Sequence, residues 1–252
     1  MKYKTFSRAT LVVACIPVVV LVLVFLLYSL YARNAVNSEV AYACNKRYEC
    51  QERVLLLRGD IPRNSTVRAS LTLAWAKIMK INMVCMQSSG GVFADALNIA
   101  WLISVLRMDT CLALNYQLDD EHATQISGYC QSSCTWVILG GRHRFLMDDR
   151  LLLGFHASRD SDGKAVPSDL PVLKDDIEGF ELNLEDAEKI KLLADWAFTQ
   201  GHTPKTTNCS ASEIQHFYPY FTDLPTYMRS PSDSTCGLPS PDEMRSRLTA
   251  VN

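Results

Sequence analysis

The stretch Ile81-Asn-Met-Val-Cys-Met-Gln-Ser-Ser-Gly-Gly91 decides how this chain folds, together with the segment that follows it. Its apolar run at 81–86 predicts a buried strand, and the Gly-Gly pair predicts a turn. Apolar residues then recur along one helical stripe, at Ala96, Ile99, Ala100, Ile103 and Leu106. The order is therefore strand, glycine turn, helix.

The same alternation continues on both sides of this unit. Strands are predicted at 53–58, 110–116, 144–147 and 151–156, and helices at 66–78, within 128–141 and at 184–199. Alternating strands and helices in one domain predict an α/β fold with a largely parallel sheet. Core packing is predicted for all four tryptophans, Trp75, Trp101, Trp136 and Trp196. Residues 157–181 are predicted to form an exposed segment outside the core, and the hydrophobic pattern becomes irregular from about residue 200.

The run from Thr10 to Tyr31 contains no charged residue. It is long enough to cross a hydrocarbon core of about 30 Å as a helix. The basic residues before it are Lys2, Lys4 and Arg8, whereas only Arg33 follows closely, so the positive-inside rule places the N-terminus in the cytoplasm. A cleaved signal peptide is the alternative, but the run exceeds a normal signal-peptide core and lacks a clear small-x-small site after it.

These features divide the chain into four parts. They are a cytoplasmic N-terminus at 1–9, a transmembrane helix at 10–31, a juxtamembrane linker at 32–52 and an extracytoplasmic domain at 53–252. With 25 basic and 27 acidic residues, the net charge of −2 gives no concentrated basic character of the kind that nucleic-acid binding requires. Nucleic acid is therefore excluded as a partner.

Eight of the nine cysteines follow the apolar run, and this even number is compatible with disulfides in an oxidising compartment. Their positions in loop-like flanks suggest the pairs Cys44 with Cys50 and Cys209 with Cys236. No metal site is predicted, because paired C-x-x-C spacing and an accompanying histidine cluster are both missing from the sequence.

Three features occur in a fixed order: a Gly-Gly turn after a buried strand, a serine at a turn-to-helix junction, and a histidine that ends a later strand. The serine lies in Gly128-Tyr-Cys-Gln-Ser-Ser-Cys-Thr135. This combination resembles the ClpP/crotonase superfamily, and in particular ClpP-like membrane-associated or periplasmic proteins with a C-x-S-x-C nucleophile segment. The resemblance runs from about Val54 to Ser158 and implies a ClpP-like fold of repeated strand-helix units.

The resemblance implies specific catalytic roles. The nucleophile would be Ser132 and its general base His156, since a serine hydroxyl needs a neighbouring base of near-neutral pKa. The backbone N–H groups of Gly90 and Ser133 would form the oxyanion hole. Asp223 lies near the expected region and is the candidate for the third triad member that orients the histidine, with an ordinary surface-loop aspartate as the alternative. Ser133 is the alternative nucleophile, since the two serines are adjacent and only the alignment to the family motif selects Ser132. Cys130 and Cys134 are interpreted as small packing residues, with a cysteine nucleophile as a minor alternative.

The function so implied is a membrane-anchored serine peptidase of the bacterial inner membrane, with its main domain in the periplasm. It would cleave a peptide or protein substrate without a cofactor, and the resemblance also implies self-association into a homo-oligomer. Two alternatives stay open. One is a catalytically inactive binding or assembly module, and the other is acyl-CoA chemistry of the crotonase type.

Overall fold

The computed structural model describes residues 36–44, 49–160, 162–180, 184–200, 206–218 and 236–250. The predicted span at 10–31 and the triad candidate Asp223 lie outside these residues. Within the described part of the chain, no helix combines the length and apolar character needed to cross a membrane. The span at 10–31 therefore stays a prediction.

Ten strands form two sheets. In chain order they are β1 (Asn37–Cys44), β2 (Cys50–Arg58), β3 (Met83–Gln87), β4 (Asp109–Leu112), β5 (Asn115–Leu118), β6 (Gln125–Ser127), β7 (Cys130–Gln131), β8 (Arg144–Leu146), β9 (Leu152–Phe155) and β10 (Thr207–Ser210). The larger sheet has seven strands in the order β6-β5-β1-β2-β3-β4-β8, and the smaller has the order β10-β9-β7.

Seven helices are described. They are α1 (Ser65–Ile78), α2 (Phe93–Val105), α3 (Ser133–Leu139), α4 (Asp169–Gly179), α5 (Leu184–Thr199), α6 (Ala211–Phe217) and α7 (Pro241–Thr249). The predicted order of strand, glycine turn and helix is confirmed at β3, Gly90-Gly91 and α2. The α/β class is confirmed as well.

The larger sheet is mixed, so the prediction of a largely parallel sheet was wrong. Strands β2, β3, β4 and β8 pair in parallel, whereas β1 pairs antiparallel with both β2 and β5, and β6 pairs antiparallel with β5. The error arose because part of the predicted linker at 32–52 forms β1. The buried residues of β1 include the small residues Ala41 and Ala43. Because the rest of the segment is polar, its sequence does not show the alternation of large apolar residues that predicts a strand.

The main core lies between the larger sheet and the helices that cover one of its faces. Leu55 and Leu57 of β2 pack in the same buried cluster as Leu73 of α1 and Ile103 of α2. Trp136 and Trp196 also belong to this core, as predicted. For the other two tryptophans the prediction was wrong, because Trp75 and Trp101 lie on the outer side of α1 and α2 and are exposed.

A smaller buried cluster on the opposite face of the sheet is organised by Tyr116. Its hydroxyl accepts a hydrogen bond from Ala113 N–H at 2.9 Å and donates one to Met86 O at 2.9 Å. Burial raises the pKa of this hydroxyl far above its usual value, so it keeps its proton and its donor role. Tyr116 therefore holds the carboxyl end of β3, just before the glycine turn.

Replacing Tyr116 with Phe leaves Ala113 N–H and Met86 O buried without that partner. We expect the free energy of unfolding to fall by about 1–3 kcal/mol. Urea unfolding of the full chain in detergent, followed by tryptophan fluorescence, measures the change. Tyr129→Phe is the matched control because Tyr129 is exposed. Equal stability of the two variants would contradict the role given to the Tyr116 hydroxyl.

Candidate active site

Ser132 lies in the tight turn between β7 and α3. Its backbone has φ 60° and ψ −132°, a positive φ that residues with a Cβ rarely adopt and that is often found at functional sites. Two hydrogen bonds hold the turn: Ser132 N–H donates to Gly154 O at 2.7 Å, and Ser132 O accepts from Thr135 N–H at 3.0 Å. The turn is thus fastened to β9 on one side and to α3 on the other.

The two neighbouring serines differ in what their hydroxyls do. Ser133 is buried, and its Oγ donates a hydrogen bond to Gly91 O at 3.2 Å. Ser132 is only partly buried, and within the described residues its Oγ has no hydrogen-bond partner. A nucleophile needs a hydroxyl that is accessible and uncommitted, so this arrangement favours Ser132 over Ser133.

His156 reaches the same place because it directly follows β9. Strands β7 and β9 pair in parallel with Gln131 opposite Gly154, so Ser132 and His156 both emerge at the carboxyl ends of adjacent strands. Both line a small cleft of about 80 Å³. The other residues lining it are Gly91, Phe93, Ser133, Trp136, Ser158 and Arg159. No hydrogen bond joins Ser132 and His156 in the described part of the chain.

The imidazole of His156 is oriented by a backbone carbonyl. Its Nδ1 contacts Ala157 O, and because a carbonyl can only accept, Nδ1 carries the proton in the neutral ring. Nε2 then keeps its lone pair and is available as a base. No described carboxylate contacts this ring, and Asp223, the predicted third triad member, lies outside the described residues.

The predicted oxyanion-hole residue Gly90 lies against the Ser132 turn. It is buried, and its N–H donates to Ser88 Oγ at 3.0 Å. Gly91 instead lines the cleft, and its N–H has no acceptor within the described residues. The Gly-Gly motif located the turn correctly, but sequence alone could not tell which of the two glycines lines the cleft.

Both glycines are required by close backbone approaches. A Cβ on Gly90 would lie 2.6 Å from Ser132 Cβ, and a Cβ on Gly91 would lie 2.1 Å from Ile61 O. Gly91 also has φ 144°, a conformation that favours glycine. The glycine turn can therefore sit directly against the Ser132 turn.

Gly91 and Ser133 are linked by a hydrogen bond. The hydrogen bond from Ser133 Oγ to Gly91 O ties the glycine turn to the first residue of α3. The N–H of Ser133 belongs to the first turn of that helix, where amides have no intrahelical acceptor. Gly91 and Ser133 both line the cleft that contains Ser132.

A disulfide between Cys130 and Cys134 closes the segment that carries Ser132, with 5.4 Å between the two Cα atoms. Both cysteines are fully buried in the main core, as their interpretation as small packing residues predicted. They are also bonded to each other, so a thiol nucleophile at either position is excluded while the bridge is intact. The predicted pairs Cys44–Cys50 and Cys209–Cys236 are confirmed. The last pair, Cys85–Cys111, joins β3 to β4 where these residues are in register, which the sequence did not reveal.

Comparison with known proteins gives likeness at the level of the fold. No protein-family model matches the sequence, and no curated protein matches it. A mutant of the 1510-N membrane-bound stomatin-specific protease in complex with a substrate peptide is 12% identical, with a TM-score of 0.45 over 65% of this chain and 70% of that chain. A second mutant of that protease is 12% identical, with a TM-score of 0.44 over 65% of this chain and 74% of that chain.

The ClpP protease catalytic domain from Plasmodium falciparum is 13% identical, with a TM-score of 0.44 over 71% of this chain and 88% of that chain. At such low identity and TM-score, the likeness does not extend to which residues act in this chain.

Proposed function

We propose that this chain is a serine peptidase that cleaves peptide bonds through an acyl-enzyme on Ser132. The observation that carries the proposal is the uncommitted Ser132 hydroxyl, held at a positive-φ turn in the same cleft as His156. A serine hydroxyl gains nucleophilicity when a base removes its proton during attack. Nε2 of His156 is the base, and Nδ1 is held by Ala157 O.

The reaction follows from these groups. Nε2 of His156 takes the proton of Ser132 Oγ as the oxygen attacks the substrate carbonyl carbon. The oxyanion that develops accepts hydrogen bonds from Gly91 N–H and Ser133 N–H, and each such donor is worth about 3 kcal/mol in the barrier. The intermediate collapses and breaks the C–N bond, and the amine leaves with the proton from Nε2. Water, activated by the same base, then hydrolyses the ester.

The substrate class is a peptide or protein, and the reaction as written uses no cofactor. We further infer that residues 10–31 anchor the chain in the inner membrane, with residues 1–9 in the cytoplasm and the catalytic domain in the periplasm. The four disulfides support an oxidising compartment. Because β1 belongs to the main sheet, the folded domain includes Asn37–Cys44, and the linker proposed between it and the anchor is shorter than 32–52.

A second candidate function is a non-catalytic assembly module that uses the same fold in a homo-oligomer. Two observations favour it: in the described residues Ser132 and His156 do not hydrogen-bond, and no carboxylate orients the imidazole. The two candidates differ in one measurable property, which is whether the folded chain acylates Ser132.

A fluorophosphonate probe on the full chain in detergent distinguishes the candidates. We expect wild type to be labelled and Ser132→Ala to lose labelling completely. His156→Gln should also lose most of it, because the base is removed while the ring volume is roughly retained. Thermal unfolding of each variant serves as the folding control. Folded wild-type protein that resists labelling would support the assembly module instead.

Ser133→Ala tests the oxyanion hole separately from the nucleophile. Removing the Ser133 hydroxyl frees Gly91 O, and the loss of about 1 kcal/mol of hydrogen bonding should slow labelling roughly fivefold without abolishing it. The measurement is the labelling rate at fixed probe concentration. Complete loss of labelling in Ser133→Ala, with labelling retained in Ser132→Ala, would reverse the assignment of the nucleophile.

The disulfide that brackets Ser132 is tested by the double variant Cys130→Ser/Cys134→Ser. Without the bridge the positive-φ turn can relax, and we expect the labelling rate to fall about five- to thirtyfold, equivalent to about 1–2 kcal/mol. Cys209→Ser/Cys236→Ser is the matched control, because it removes a bridge in the C-terminal part of the domain. Equal rates in the two double variants would show that the bridge near Ser132 has no special effect.

A further inference from the structure

Helix α1 carries an apolar stripe on its outer side. Val67, Leu71, Trp75 and Ile78 are spaced by four, four and three residues, so they share one side of the helix. All four are exposed, Trp75 to 44% and Ile78 to 78%, and Met79 just beyond the helix is exposed as well. The opposite side packs on the sheet through small or aliphatic residues such as Ala69, Leu73 and Ala76.

Helix α2 extends this surface. Trp101 and Val105 lie one turn apart and are exposed to 52% and 56%, while Ile99 and Ile103 face the core. Helices α1 and α2 pack against each other in the layer that covers the sheet. We call the outer surface formed by Val67, Leu71, Trp75, Ile78, Met79, Trp101 and Val105 the α1/α2 face. Large apolar residues clustered in this way on a surface indicate an interaction site.

The α1/α2 face is also basic. The segment 63–80 contains Arg63, Arg68, Lys77 and Lys80 but neither Asp nor Glu, although the whole chain has a net charge of −2. The carboxylate in α2, Asp95, is buried and turned inward. It accepts hydrogen bonds from Asn64 N–H at 3.0 Å, from Thr66 N–H at 3.0 Å and from Thr66 Oγ1–H at 2.8 Å. Its charge is therefore used at the start of α1 and does not neutralise the face.

The chain enters the domain on the same side of the sheet as α1. Val36, the first described residue, is buried in the cluster that contains Leu73 of α1. The predicted membrane span ends at Tyr31, so five Cα–Cα steps separate the two, which reach at most about 17 Å. With the predicted span at 10–31, so short a tether would hold the domain close to the bilayer, with its α1 side near the point of attachment.

We propose that the α1/α2 face docks on the surface of the anionic membrane that residues 10–31 enter. Tryptophan is favoured at the boundary between headgroups and acyl chains, aliphatic side chains insert beside it, and lysine and arginine are attracted to anionic headgroups. All three residue types are present on this face. The proposal concerns a membrane contact in addition to the anchor, and it does not depend on the catalytic function.

A second copy of the chain fits this face less well. In a symmetric dimer the same surface patch meets itself, so the basic residues around the patch, Arg63, Lys77 and Lys80, would face their own copies. Like charges brought together across an interface oppose association. An anionic lipid surface complements these charges instead.

Brominated lipids test the docking directly, because bromine on acyl chains quenches nearby indole fluorescence. The full chain is placed in nanodiscs that contain brominated phosphatidylcholine and phosphatidylglycerol. The chain has four tryptophans, of which Trp136 and Trp196 are buried in the core and serve as internal controls. We expect strong quenching in wild type, loss of most of it in Trp75→Phe/Trp101→Phe, and full retention in Trp136→Phe.

The charge contribution has its own variants. Lys77→Glu/Lys80→Glu should reduce quenching in anionic discs, and 1 M NaCl should reduce it in wild type, because salt screens the attraction. The matched control is Lys164→Glu/Arg247→Glu, which reverses two exposed cations elsewhere on the domain and should leave quenching unchanged.

Three results would overturn the proposal. The first is quenching that persists in Trp75→Phe/Trp101→Phe, and the second is failure of the full chain to enter discs. The third is a concentration-dependent dimer that protects Trp75 and Trp101 and that the same double variant dissociates, since a second copy would then occupy the face.

Discussion

The hydrogen bond from Ser132 N–H to Gly154 O, 2.7 Å long, is the contact on which the candidate site depends. It continues the short parallel pairing of β7 with β9, and so it brings the residues after both strands to one edge. Ser132 and His156 are 24 positions apart in the chain, yet this pairing places them in one cleft. If the two strands separated, nucleophile and base would separate with them.

Around this contact, the site is built almost entirely from backbone groups. The donors proposed for the oxyanion are amides of Gly91 and Ser133, and the group that orients His156 is the carbonyl of Ala157. Backbone groups are held by strands, helix ends and turns, so they need little reorganisation when charge develops. The cost is the positive φ at Ser132, which the Cys130–Cys134 bridge and the bond to Gly154 together maintain.

Sequence reasoning predicted correctly those elements whose structure is determined by the hydrophobic periodicity of the segment itself. The buried run at 81–86, the glycine turn and the helix after it follow from local periodicity, and β3 and α2 confirm them. It failed where the structure depends on contacts that the local pattern does not contain, such as strand pairing. Strand β1 is buried through small residues and is bonded to β2 through Cys44–Cys50, and Gly90 N–H donates to Ser88 Oγ. No local sequence pattern predicts either feature. The exposure of Trp75 could not be predicted, because an apolar stripe on a helix has the same sequence periodicity whether it faces the protein core or another surface.

The α1/α2 face and the cleft are connected through the residues that lead into α1. Ile61, which leads into α1, donates its N–H to Gly90 O at 2.7 Å and accepts from Val92 N–H at 2.7 Å, so the entry to α1 is fastened to the glycine turn. From Phe93 at the cleft, Trp101 and Val105 lie about 12 and 18 Å along the axis of α2, at 1.5 Å per residue. A domain docked through α1 and α2 would therefore hold Ser132 at a short, fixed distance from the bilayer. For the proposed peptidase, such a geometry would bring peptide segments next to the membrane within reach of Ser132.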